Sequence, residues 1–387
     1  MKTALLFAVL WFVAAPMPQA ADTAGANPDA VRQYESGGPV AALRHYEQEA
    51  AKAVNDPAAR QQVESELAHI LTDQATFEAK RFVCTQLAII GTAASVPATA
   101  KLLDRDDTVG IACLALATNP SAEAGQVLRE ALGRLKGEAL AQVINTLGNR
   151  RDREAVSALL EFTRSEEPGT AGAAYLALGK IGTQPARTAL AQARRRNDPA
   201  VADAVAAGSF LFAERLVGQN RRPGAIRIYD QLLASNQPGQ VRRGAFEALL
   251  RLDEDGGLQR AIDALTGTED LLKPSAISAV TDMRNLQASG SFATVLPKLE
   301  PSLQALLLDA LAGRGDAEAH KAVAAQIESP HAQVRSAAIS NLGRIGTASD
   351  VPLLVQAALR AARAGDAGRG DASDVPELAQ AAQAAKE

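Results

Sequence analysis

The chain has 387 residues, of which 47% are hydrophobic, 22% charged and only 4% aromatic, and its formal net charge is −4. That apolar content excludes wholesale disorder, and the slightly acidic balance excludes the strong positive field that non-specific nucleic-acid binding needs. With 82 Ala and few aromatics, the core is expected to be thin and helical, in two or three units or one extended array.

The N-terminus reads as an address. Met1-Lys2 is followed by an apolar run from Ala4 to Ala15, then by Pro16 and small residues up to Ala21. This is the layout of a secretory signal peptide spanning 1–21, with cleavage after Ala20 or Ala21. The run is shorter than the roughly 20 residues that span a bilayer, so no membrane span is expected after cleavage. An uncleaved anchor is the alternative. The expected location is exported, periplasmic or secreted. Residues 27–72 then show helical patterning, as at Ala41-Ala42-Leu43 and Val63-Glu64-Ser65-Glu66-Leu67, in the manner of a terminal cap.

From residue 74 the chain repeats. Leu87, Leu116, Leu147 and Leu178 are separated by 29, 31 and 31 residues, and Leu249, Val280, Leu311 and Leu342 by 31 each time. Four residues before these anchors stand Val83, Ala112, Val143, Ala174, Ala245, Ala276, Leu307 and Ala338; three before stand Cys84, Cys113, Ile144, Tyr175, Phe246, Ile277, Leu308 and Ile339. Twelve after, every residue but Thr99 is apolar. Positions −4, −3 and 0 share one face of a 3.6-residue helix, and +12 belongs to a second helix. Gly91, Gly182 and Gly346 lie between the two, where a left-handed glycine ends a helix and Thr92, Thr183 or Thr347 caps the next. Each repeat is thus a helical hairpin that buries its apolar face by stacking. The fold class is all-α, an α-solenoid, with repeats over 74–196 and 237–361.

Between Leu178 and Leu249 lie nine residues more than two repeat steps. Residues 197–236 read as a spacer hairpin resembling a tetratricopeptide unit, with Ala225-Ile226 and Tyr229 in its second helix. The remainder, 362–387, reads as a flexible tail that includes Arg369-Gly370-Asp371.

The sequence supplies no catalytic constellation. His45, His69, His320 and His331 form no metalloprotease motif or metal-spaced cluster, no Ser stands in a nucleophile elbow, and no phosphate-binding Gly-rich loop occurs. Asp253-Glu254-Asp255 reads as a solvated loop cap. Neither catalysis, a cofactor nor a metal is expected. Cys84 and Cys113 occupy one column of consecutive repeats, about 9–10 Å apart at ordinary helix spacing, too far for a disulfide. Two free, buried thiols are expected.

What remains is surface. Arg150 and Arg151 sit in a repeat loop with Arg153, and Lys180, Arg251 and Arg344 share the column two after the anchor. Basic residues at helix C-termini answer the macrodipole; the functional alternative is an acidic protein partner docking along that edge. A second candidate surface is the polar side of the first helices, with Asn145, Glu247, Asp309 and Asn341.

The pattern small-apolar-x-x-Leu-Gly-x-Ile-Gly followed by a second helix such as Asp350-Val351-Pro352-Leu353-Leu354 resembles HEAT repeats. More narrowly, it is similar to the short bacterial class known from phycobilin lyases. The resemblance implies a protein-binding scaffold, with the polar side of the first helices facing a concave groove. It also implies two alternatives, a cofactor-handling protein like the bilin lyases or an accessory subunit of an envelope redox complex. Similar arrays occur beside c-type haem modules, but no Cys-x-x-Cys-His is present, so no haem role follows.

Overall fold

The computed structural model describes residues 27–366 except 73, 235, 254, 255 and 286. The signal-peptide reading, the Glu254-Asp255 pair and all but the first few residues of the expected tail lie outside the described residues. Two compact units divide the chain, the first ending at Gly208 and the second beginning at Ser209. The described residues contain helices and no strand.

The first unit opens with α1 (Pro28–Arg32), α2 (Ala41–Ala53) and α3 (Pro57–Ile70), the expected cap. Its helices begin where the sequence supplies an acceptor. Asp56 takes the N–H groups of Ala58 (3.0 Å) and Ala59 (3.1 Å), with Pro57 at the first helical position. Then come the hairpins: α4 (Phe77–Ile90) with α5 (Val96–Ala100), α6 (Val109–Thr118) with α7 (Ala122–Ala131), α8 (Gly137–Arg150) with α9 (Val156–Phe162), and α10 (Pro168–Ile181) with α11 (Gln184–Arg196). Successive first helices pack on one another. The division between the units falls within α12 (Ala202–Gly218).

The second unit continues with α13 (Arg222–Leu232), which completes the spacer hairpin. There the buried Tyr229 donates its hydroxyl to Glu214 at 2.6 Å and its ring lies 5.7 Å from Phe210. Four hairpins follow: α14 (Gly239–Leu252) with α15 (Gly257–Thr266), α16 (Lys273–Val280) with α17 (Ala288–Val295), α18 (Pro301–Arg314) with α19 (Ala317–Ala324), and α20 (Ala332–Ile345) with α21 (Val351–Asp366).

The sequence columns are the core. The anchor, −4 and −3 positions are all buried, and so is the +12 position of each repeat. Thr99, the one polar member, is 1% exposed because its hydroxyl is satisfied by the carbonyl of Ser95 at 3.0 Å. Cys84 and Cys113 are free and buried; burial pushes the Cys84 thiol up to about 12 and raises Cys113 against an opposing hydrogen bond with Thr146. Both therefore stay protonated at neutral pH and act as small apolar side chains.

Two features sharpen the sequence reading. Of the three turn glycines, only Gly182 is left-handed (φ 72°); Gly91 and Gly346 are extended, with φ −62° and −66°. At both of these the helix ends by a backbone bond to the carbonyl of the anchor Leu, and the chain then turns into a short 3₁₀ segment. In the first unit, the first helices touch backbone to backbone. A Cβ on Gly148 would lie 2.7 Å from the Cα of Ala177, and one on Gly179 would lie 2.2 Å from the carbonyl oxygen of Gly208.

Polar cross-links recur at about one repeat length. The buried Glu64 of α3 accepts the N–H groups of Thr92 (2.6 Å) and Ser95 (3.0 Å) and the Thr92 hydroxyl (2.8 Å), tying the cap to the first hairpin. Late in the second unit His320 of α19 meets Asp350 at 2.9 Å, and Asp350 also accepts the N–H of Thr347 at 2.7 Å. Asp316 accepts the Ser289 hydroxyl (2.6 Å), the Ala319 N–H (2.9 Å) and Arg314 Nε (3.1 Å). Burial pushes both carboxyls up, but these hydrogen bonds outweigh it and hold each below the ordinary Asp range. A carboxyl whose pKa is depressed in the folded state stabilises the fold above its unfolded pKa, about 3.9, and that contribution is lost as the pH falls through the lower folded value. Acid titration of unfolding is expected to show stability falling below about pH 5. Asp316→Asn, already neutral, should show a shallower fall when unfolding is followed in denaturant at stepped pH.

Candidate functional site

The structure sorts the basic candidates into those used internally and those left facing solvent. In the first unit Arg150, the last residue of α8, turns inward. Its guanidinium donates to the carbonyls of Leu116 and Asn119 and, at 2.9 Å, of Ser121, closing the end of the preceding first helix. Burial lowers its pKa, with Asp152 opposing that shift and Arg129 adding to it. Arg151 is exposed and adopts the left-handed conformation (φ 56°) that ends α8. Lys180 donates to Asn149 on the neighbouring first helix at 2.7 Å. Asn145 is half-buried on α8.

In the same unit an apolar strip faces outward. Phe82 and Ile89 on α4, and Ile111 and Leu114 on α6, stand at positions −5, +2, −5 and −2 from their anchors, which share one helix face. Ile89 is 59% and Leu114 47% exposed, on helices that pack side by side.

The second unit brings two groups of candidates together separately. Asp309 accepts the side-chain N–H of the buried Asn341 at 2.6 Å, and Asn341 accepts from Arg344 at 2.7 Å, so these three form a chain between α18 and α20. Glu247 and Arg251, one turn apart on α14, line a groove of about 610 Å³ together with residues of α13, α15 and α16 and the turn after α16. Glu247 accepts the Ser275 hydroxyl at 2.8 Å. Arg251 makes no hydrogen bond or ion pair among the described residues.

Two further residues that line this groove, Asp282 and Arg284, were not singled out from the sequence. Asp282 occupies the same +2 column as Arg251, one repeat on, so the column itself was the available signal. Arg314 was missed as well. It is the counterpart of Arg150, three after its anchor, and donates to the carbonyls of Val280 (2.8 Å), Met283 (2.6 Å) and Asn285 (3.2 Å). In both repeats the accepting carbonyls lie at 0, +3 and +5 of the preceding anchor, and this recurrence was legible in the sequence as an Arg in the +3 column.

The model of HEAT repeats matches residues 126–209 and 292–367. These two stretches are HEAT repeats. Both matched stretches carry the clasping arginines, Arg150 in one and Arg314 in the other. No curated protein matches the sequence. Among solved structures, the protein is similar to human deoxyhypusine hydroxylase in complex with glycerol, at 17% identity over 65% of this chain and 96% of that chain, with a TM-score of 0.30. It is also similar to an engineered protein, at 19% identity over 93% of this chain and 98% of that one, with a TM-score of 0.26. Neither superposition is close enough to carry a property to this chain. No helix among the described residues is long and apolar enough to cross a membrane.

Proposed function

We propose that this protein is a non-catalytic protein-interaction scaffold that works through the outward face of its first helices. The observation that carries the reading is the strip formed by Phe82, Ile89, Ile111 and Leu114. Exposed apolar side chains scattered singly are ordinary, but a contiguous set on neighbouring helices is a mark of an interaction site. The apolar leader from Ala4 to Ala15 supports export to the envelope as the setting.

Affinity capture from an envelope fraction tests the reading. The wild-type protein is expected to recover a protein partner. The double variant Ile89→Asp, Leu114→Asp should recover about tenfold less, while keeping its circular dichroism spectrum, because both side chains already face water. Equal recovery by the two proteins would overturn the assignment of this face.

A further inference from the structure

The groove of the second unit carries charges that the repeat stack leaves unanswered. Arg251 on α14 and Arg284 in the turn after α16 are exposed, and neither makes a hydrogen bond or ion pair among the described residues. The acids nearby differ in this respect. Asp253 is taken up by the N–H of Gly256 at 3.0 Å and Nε of Arg260 at 3.2 Å, and Glu247 by the Ser275 hydroxyl at 2.8 Å. Asp282 alone among these lining carboxylates has no partner among the described residues. Between the charged walls, Leu258, Ala279 and Met283 give the groove an apolar lining.

We infer that this groove binds an extended peptide segment carrying a carboxylate side chain next to an aliphatic one. A guanidinium presents paired N–H donors that match a carboxylate, and two such groups lining one groove offer it a site that a lone surface arginine does not. The apolar lining takes the neighbouring side chain, and Asp282 takes a main-chain N–H, which every extended segment supplies. The volume is within the range of pockets that hold ligands of this size, about 300–1,000 Å³. The acids in the same walls set the selectivity. Glu247, Asp253 and Asp282 offset the charge of Arg222, Arg251 and Arg284, so the groove has little net field to repay the larger desolvation cost of a phosphate dianion, whereas the planar guanidinium forks match a monoanionic carboxylate. The inference rests on the scaffold reading only in taking the ligand to be a piece of protein; it uses a different unit and different residues.

Fluorescence anisotropy with the full chain and a library of labelled extended peptides is the test. Peptides alternating Glu and Leu are expected to bind at least about tenfold more tightly than their Gln–Leu or Lys–Leu counterparts, and to weaken between about 50 mM and 300 mM NaCl. Arg251→Gln and Arg284→Gln should each cost about tenfold, while Ile89→Asp, Leu114→Asp leaves peptide binding unchanged. Equal binding of Gln–Leu peptides, indifference to Arg251→Gln, or tighter binding of phosphoserine peptides, anionic vesicles or RNA would each overturn the inference. The two readings fail separately. Partner capture that survives Arg251→Gln but not the strip variant, with no peptide bound, sinks the groove and spares the scaffold. Acidic-peptide binding alongside strip-independent capture does the reverse.

Discussion

Arg314→Ala is expected to destabilise the second unit by about 3 kcal/mol. The side chain is 8% exposed, and its guanidinium satisfies three carbonyls of the preceding repeat, together with the Ser289 hydroxyl and Asp316. Removing it costs the Met283 carbonyl its donor and leaves Val280 and Asn285 with only the backbone N–H groups of Met283 (3.4 Å) and Ala288 (3.2 Å); a hydrogen bond to a charged group is worth about 1.5–3 kcal/mol. The individual losses do not add in full, because water enters the space that is vacated. Arg314→Lys should recover less than half of the loss, since one ammonium cannot reproduce a planar fork reaching Val280, Met283 and Asn285. Denaturant unfolding followed by circular dichroism measures both. A loss below about 0.5 kcal/mol, the level of an ordinary surface substitution, would show that the clasp holds nothing.

Gly179→Ala is expected to cost about 2 kcal/mol net, although alanine is the better helix former by about 1 kcal/mol. The added methyl would lie 2.2 Å from the carbonyl oxygen of Gly208 and 2.7 Å from its Cα, and both are backbone atoms that cannot rotate away. α10 and α12 must separate, and overpacking of this kind costs about 1–3 kcal/mol or more. Gly290→Ala is the internal control. Gly290 is also within a helix, the third residue of α17, but a Cβ there meets nothing within 4 Å. That variant should gain about 0.5–1 kcal/mol. Opposite signs for the same chemical change, read from thermal midpoints of the two proteins, would show that helix contact rather than propensity decides. A stabilising Gly179→Ala would mean that the first helices lie farther apart than described.

The architecture was legible because burial repeats. Leu87 through Leu342, with their −4, −3 and +12 companions, all turned out to be core, and a 31-residue period with helical spacing has few other solutions. The polar contacts were harder to read. Arg150 has the composition of a surface cation, and nothing in its own neighbourhood shows that it reaches back a whole repeat to Leu116 and Asn119. Glu64 likewise looks like one of several helix-surface acids until Thr92 and Ser95 are placed over it. Gly91 and Gly346 share a motif with Gly182 but not its φ, because a 3₁₀ turn follows them where an α-helix begins directly after Thr183. Of the candidate site, Arg251 and Glu247 were found in the sequence, and the groove they line was not. A groove depends on how far neighbouring helices stand apart, which no single column encodes.

Hydrogen exchange on a captured partner complex shows directly whether the molecule acts through the first-helix face. Exchange is expected to slow in α4 and α6, over residues 82–89 and 111–114, with α5 and α7 of the same hairpins unchanged. Protection confined to the second helices, or none in either set, would contradict action through that face.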